Sequence, residues 1–141
     1  MVSFTVRVEG LERLKESFDS LPDDILPSIT RGLTLAASEA VEQIQSSISD
    51  SYPPPSLPWT PPHVRTGALR RSVRIERIEP GIVTMGVGGP GSIVPYAAWL
   101  EFGTSKMEPR PFVEPIIERI GPGISSIITE EVNKDLEKAV A

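Results

Sequence analysis

Apolar and polar positions alternate at the start of the chain. Phe4, Val6 and Val8 stand against Ser3, Thr5, Arg7 and Glu9, a pattern that predicts a half-buried strand closed by Gly10. The period then lengthens: Leu11, Leu14, Phe18 and Leu21 fall at helical spacing, with Glu12, Arg13, Lys15 and Glu16 opposite, and predict a short amphipathic helix. Pro22-Asp23-Asp24 restarts the chain; either aspartate suits a helix cap, and Pro27 is tolerated in a first turn. From there Ile29, Leu33, Ala36, Ala37, Ala40, Val41, Ile44 and Ile48 form a sustained stripe. It predicts one long helix, a rod of nearly 40 Å at roughly 1.5 Å per residue. The small alanines admit a close neighbour, and Gly32 costs this helix up to ~1 kcal/mol relative to alanine.

Residues 52–62 break the pattern. The run Ser51 to Pro62 holds six prolines, which exclude a helix interior and a central strand. It predicts a stiff extended loop, either a plain linker or an arm toward a neighbouring subunit with Tyr52 and Trp59 as anchors. Arg65-Thr66-Gly67-Ala68-Leu69-Arg70-Arg71-Ser72 reads as a turn entering a sheet. Val73, Ile75 and Arg77 then share one face of a strand, with Arg74, Glu76 and Ile78 on the other. Glu79-Pro80-Gly81 is a hairpin turn, and Ile82–Val87 the return strand.

Pro95 to Lys106 holds much of the aromatic content of an aromatic-poor chain. Tyr96, Trp99 and Phe102 recur every third residue, which on a short helix places them on one side. The expectation is a short buried helix, each aromatic worth roughly 1.5–3 kcal/mol on burial. Pro95 suits its first turn and Gly103 the left-handed residue that ends it. Thr104, Ser105 and Lys106 make an exposed turn; Pro109 and Pro111 stiffen an arm that carries Arg110 outward and returns Phe112 to the core. Beyond Glu114-Pro115 a second long helix bears Ile116, Ile117, Ile120, Ile124, Ile127, Ile128, Val132 and Leu136. Gly121-Pro122-Gly123 is expected to kink or break it.

Composition narrows the field. A chain of 141 residues suits a single domain over 1–141, with 129–141 prone to fraying. The absence of cysteine excludes disulfides, iron–sulfur clusters and thiolate zinc sites. A net charge of −5 argues against a wholesale nucleic-acid binder. The N-terminus lacks the basic-then-apolar order of a signal peptide, and no apolar run approaches the ~20 residues of a membrane helix.

Little in the sequence supports catalysis. His63, the only histidine, sits among prolines and reads as a solvated loop residue rather than a metal ligand or relay. Gly86-Val87-Gly88-Gly89-Pro90-Gly91 follows a strand as a phosphate loop should, but no helix opens directly after it and Pro90 removes an amide. The dispersed acidic residues read as solvated helix faces. Arg65, Arg70, Arg71 and Arg74 form a basic cluster, either surface salt bridges worth ~0–1 kcal/mol each or a contact for an acidic partner surface or DNA. No cofactor and no metal are expected.

Two motifs together resemble a known family. Arg65–Ser72, followed by Tyr96-Ala97-x-x-Leu100-Glu101-Phe102-Gly103-Thr104-Ser105-Lys106-Met107 with Arg110-Pro111-Phe112, is similar in order and spacing to the tail-completion, minor tail or neck proteins of long-tailed bacteriophages. The resemblance implies an α+β fold: a twisted antiparallel sheet packed by one long helix, with a C-terminal helix and the proline-rich loop. It implies a non-catalytic virion protein, assembled in the host bacterial cytoplasm. Such a protein forms a homo-oligomeric ring, hexameric by expectation, at the head–tail junction or the top of the tail. It docks on head-connector and tail proteins while genomic DNA passes without specific binding, and it involves no membrane. A ring subunit needs a rigid interface corner. The residues set aside for that role are Thr66, Gly67, Leu69, Arg70, Trp59, Tyr96, Trp99, Glu101, Phe102, Gly103, Thr104, Arg110 and Phe112. Glu101 is expected to bond the Thr104 or Ser105 amides or to pair with Arg110. A side chain at Gly103 is expected to cost roughly 1–2 kcal/mol. The rival readings are a small DNA- or nucleotide-handling protein using the glycine loop and arginine cluster, and a tail assembly factor absent from the mature particle.

Overall fold

The computed structural model of the chain describes residues 2–7, 25–88 and 96–140. The expected helix over 11–21, the caps at Asp23 and Asp24, Pro95 and the second half of the glycine run, from Gly89 on, lie outside these residues. In chain order the elements are β1 (Val2–Arg7), α1 (Ile25–Ser47), α2 (Ala68–Ser72), β2 (Arg74–Glu79), β3 (Ile82–Val87), α3 (Ala97–Phe102) and α4 (Glu114–Val140). The fold is α+β.

The three strands form one antiparallel sheet in the order β1-β3-β2. β1 pairs with β3 from Val2 opposite Val87 to Arg7 opposite Ile82. The β2–β3 hairpin turns on Pro80-Gly81, where Gly81 takes φ 75° and donates its amide to Thr30 Oγ1 at 2.9 Å. That bond fixes α1 against the hairpin. The expected alternation along β2 fails midway. Ile75 faces Met85 and Arg77 faces Thr84, so Glu76 is an extra residue, a bulge. A two-residue step against a one-residue step reverses the faces, and Arg77 lies opposite to Ile75 rather than beside it. Gly86 makes room for the bulge, since a β-carbon there would stand 2.1 Å from Glu76 Oε1.

Helix α1 is the spine. Ile29, Leu33, Ala36, Ala37, Ala40, Ile44 and, just past its end, Ile48 are all buried, as their spacing requires. It packs on β2 and β3, whose inward residues include Val83, Met85 and Val87, and it runs along α4. Gly32 has its explanation here: a β-carbon would lie 2.9 Å from the Ile128 Cα, so the two backbones touch at this crossing. α4 does not break at Gly121-Pro122-Gly123. It is continuous from Glu114 to Val140 with Pro122 inside. Proline removes one backbone bond, but Ile116 and Ile120 before it are buried, and Ile124, Ile128 and Val132 after it pack on the core. Packing on both sides holds the helix through the defect.

Candidate functional site

The corner around α3 is built from its buried carboxylate outward. α4 begins with Phe112-Val113-Glu114-Pro115, which offers no serine, threonine, asparagine or aspartate to cap its free amides. Glu101 does it from α3. Oε2 accepts from the Phe112 amide at 2.9 Å and the Val113 amide at 3.1 Å, and Oε1 accepts from the Glu114 amide at 2.9 Å. The residue is only 3% exposed. These three amides are its partners, in place of Thr104, Ser105 or Arg110. Bonds to a charged acceptor are worth roughly 1.5–3 kcal/mol each, and the positive end of α4 favours an anion there. Together they offset a desolvation cost of several kcal/mol.

This cap turns α3 over. Its buried residues are Ala97 and Glu101, so Trp99 and Phe102 face out at 57% and 65% exposure, and Tyr96 is half-buried. The aromatic trio is therefore not a buried wedge. The inward side of α3 belongs to the small alanine and the carboxylate.

Gly103 ends α3 at φ 77°, its amide on the Trp99 carbonyl at 2.8 Å. A β-carbon there would also lie 2.9 Å from the Met107 carbonyl and from Pro109, so conformation and space both demand glycine. Thr104 and Met107 close the exposed turn on each other, with the Lys106 amide on Thr104 Oγ1 at 3.2 Å. The Arg110 amide returns to the Leu100 carbonyl at 2.6 Å, which delivers Phe112 and Val113 to the core at 1% and 0% exposure.

The proline-rich segment docks on this arm in its own subunit. Its base is pinned where Tyr52 donates to Val64 and Val64 to Asp50. Higher up, Trp59 donates its amide to the Pro109 carbonyl at 2.8 Å and Arg110 Nε to the Ser56 carbonyl at 3.1 Å. Trp59 sits at φ 64°, a conformation a bulky residue holds only under constraint, and its side chain is 67% exposed. Leu57, two residues before it, is 73% exposed.

The first motif meets the second across a groove of about 660 Å³. Thr66 and Gly67 start α2: Gly67 takes φ 79°, and Thr66 Oγ1 accepts from the Ala68 amide at 3.3 Å. Leu69 is buried beneath, Arg70 exposed above. Facing them are Tyr96, Leu100, Met107 and Arg110; Ile48, Tyr52, Ser56, His63 and Arg65 are among the other lining residues. Of the expected site residues, Thr66, Gly67, Leu69, Arg70, Tyr96 and Arg110 thus come together. Trp59, Trp99, Phe102 and Thr104 point to solvent, while Glu101, Gly103 and Phe112 hold the corner from within. His63 is half-buried in its loop: Nδ1 lies 2.7 Å from the Pro54 carbonyl, and the side chain is 21% exposed. Arg65 stacks over the Tyr52 ring at 4.9 Å. Among the described residues no acidic one lines the groove.

A second charged cluster went unforeseen. Arg31 on α1 reaches Glu131 at 2.8 Å and Asp135 at 2.6 Å on α4, Lys134 reaches Glu131 at 3.0 Å, and Ser28 donates to Asp135. The hydrogen bond from Arg31, then that from Lys134, holds the Glu131 carboxyl below its ordinary range. Those from Ser28 and Arg31 do the same for Asp135. Arg31 and Lys134 are raised in return, chiefly by Glu131. Nothing in the sequence paired residues so far apart.

Among the described residues no cluster of His, Asp and Glu has metal-binding geometry, and no helix is long and apolar enough to cross a membrane. What the geometry presents is a stiff corner, an exposed apolar ridge and a basic groove. A family model described as "Bacteriophage HK97-gp10, putative tail-component" matches residues 12–103 of the 141, well over half of the chain. The chain belongs to this family of phage tail components. The match takes in Arg65–Ser72 and ends at Gly103, so the turn, the arm and α4 of this tail component lie beyond it. No curated protein and no solved structure matches the chain.

Proposed function

We propose that this tail component is a non-catalytic structural part of the virion, a single-domain subunit of a ring. The ring sits at the head–tail junction or the top of the tail, docks on connector and tail proteins, and lets DNA pass without specific binding. One observation carries the reading. The capped, doubly constrained corner spends its packing on exposing apolar side chains: Leu57 and Trp59 on the proline-rich loop and Trp99 and Phe102 on α3 all stand in water on segments tied down by backbone bonds. A soluble monomer seldom displays such a ridge without a partner, and tryptophan and phenylalanine are favoured interface anchors. Light scattering and negative-stain imaging, with and without the neighbouring connector and tail proteins, test it. Closed rings or a defined co-complex are expected. A protein that stays monomeric and binds none of its neighbours sinks the proposal.

A further inference from the structure

The groove and one face of α1 have opposite charge and sit in different places on the same chain. Three guanidinium groups, Arg65, Arg70 and Arg110, rim the groove. Among the described residues Arg110 bonds only carbonyls, Arg65 only stacks on Tyr52, and the Arg70 guanidinium has no hydrogen bond or ion pair. Nor does any described carboxylate in the lining answer this charge. The floor between them, with Leu69 and Leu100, is apolar.

On α1 the outward stripe Leu35, Glu39, Glu42 and Ser46 is exposed, at positions i, i+4, i+7 and i+11, and spans roughly 16 Å at 1.5 Å per residue. Leu35 is 48% exposed without any large apolar neighbour on that stripe. Among the described residues the Glu39 carboxylate takes only the Gln43 amide, at 3.0 Å, and Glu42 has no ion pair. Arg119 is bound to Gln43 Oε1 at 2.8 Å at the stripe's edge.

We infer that the arginine-rimmed groove of one subunit receives the α1 stripe of a second copy. Glu39 and Glu42 would meet Arg65 and Arg70, with Leu35 on the apolar floor. The stripe cannot reach the groove of its own subunit, because α1 is one continuous helix to Ser47, and Ile48 just past its end already forms part of that groove. A concave basic patch and a convex acidic ridge on one chain make a heterologous contact, which closes into a ring when its rotation permits. The inference rests on the ring reading above and names the contact it needs. Duplex DNA is the less fitting occupant, since an apolar floor with three arginines offers few phosphate contacts.

Charge reversal tests it by sedimentation velocity at low salt. Wild-type protein self-associates, and about 0.5 M salt weakens the association by screening. Arg70→Glu and Glu42→Arg each weaken it at least about tenfold, since like charges then face each other. Combining both changes in one chain restores it to near the wild-type level, an outcome that a merely damaged surface does not give. Both sites are exposed, so thermal melts of the variants match the parent. Single reversals that assemble like wild type overturn this contact and leave the ring reading standing. Wild-type protein that never assembles, alone or with connector and tail proteins, overturns both. Duplex DNA binding lost in Arg70→Glu overturns the inference in favour of a nucleic-acid groove.

Discussion

The seam between α1 and α4 and the corner around α3 each bury a carboxylate, and they satisfy it by opposite means. In the seam, Glu131 is 7% exposed and meets cations: Arg31 and Lys134 bind it from two sides. Around it the usual order holds, apolar residues inward and charge at the edge. In the corner, Glu101 is 3% exposed and among the described residues meets no cation, only three backbone amides at the head of α4. There the order is inverted, with charge inside and Trp99 and Phe102 outside. A seam of the first kind glues two helices. A corner of the second kind fixes where α4 begins and leaves its aromatic side free for another molecule.

The largest expected effect is at Glu101. Glu101→Gln keeps the shape but removes the charge and turns an NH₂ toward amide donors. It is expected to cost about 2–4 kcal/mol, since the lost bonds are charge-assisted and buried. Urea unfolding reads the loss, and hydrogen exchange localises it to the amides of residues 112–114. A loss below about 0.5 kcal/mol, the size of an ordinary surface change, would mean that the corner is held by packing and not by its cap.

The same contrast explains what could be read in advance. The stripe from Ile29 to Ile48 is set by a period, and periods survive in sequence; every residue in it except half-buried Val41 is buried. The strands, the hairpin turn and the left-handed Gly103 were equally legible, because each follows from local chemistry. The aromatics of α3 were not. Trp99 and Phe102 face out while Tyr96 packs partly on the core, and their spacing could not say which side faced in. That was decided by the uncapped start of α4, Phe112-Val113, which needs an acceptor from elsewhere. The missing cap was the signal, visible in the sequence if helix starts are checked for what they lack. The bulge at Glu76 and the pairing of Arg31 with Glu131 and Asp135 left no comparable trace, since both depend on contacts between distant segments.

Gly32→Ala tests the seam next. A helical alanine would ordinarily gain up to ~1 kcal/mol, but the added carbon meets the Ile128 backbone at 2.9 Å. Backbone cannot step aside as a side chain can, so a net loss of about 1–3 kcal/mol is expected in urea unfolding. A gain in stability would show that the helices cross more loosely than this distance requires.

Acid tests the charged edge of the seam. Glu131 and Asp135 have lowered folded-state values, so their contribution is complete above the ordinary carboxylate value of about 4 and is lost as pH falls below it through the folded values. The raised Lys134 acts at the other end, its contribution lost as pH rises from the ordinary lysine value of about 10.4 through its higher folded value, while Arg31 stays charged across that range. Arg31→Met should therefore lower the urea midpoint by a constant amount from neutral pH down to mildly acid pH, and the gap to wild type should close below about pH 4. The gap should be smaller than that at Glu101, because Arg31 is 46% exposed and salt screens it. A gap that persists unchanged at low pH would assign the Arg31 effect to packing of its stem.

The smallest effect on stability is expected where the side chains are largest. Trp99→Ser and Phe102→Ser remove big apolar groups from the outward side of α3, where they are already in water. Their unfolding free energies should stay within about 0.5 kcal/mol of the parent. If the ridge is an interface, the same variants should weaken ring or co-complex formation, as loss of a buried aromatic anchor does. The two readouts must separate: normal folding with failed assembly marks a surface kept for a partner. Variants that unfold early would place these aromatics inside the subunit in solution, and the inversion of the corner would fall with them.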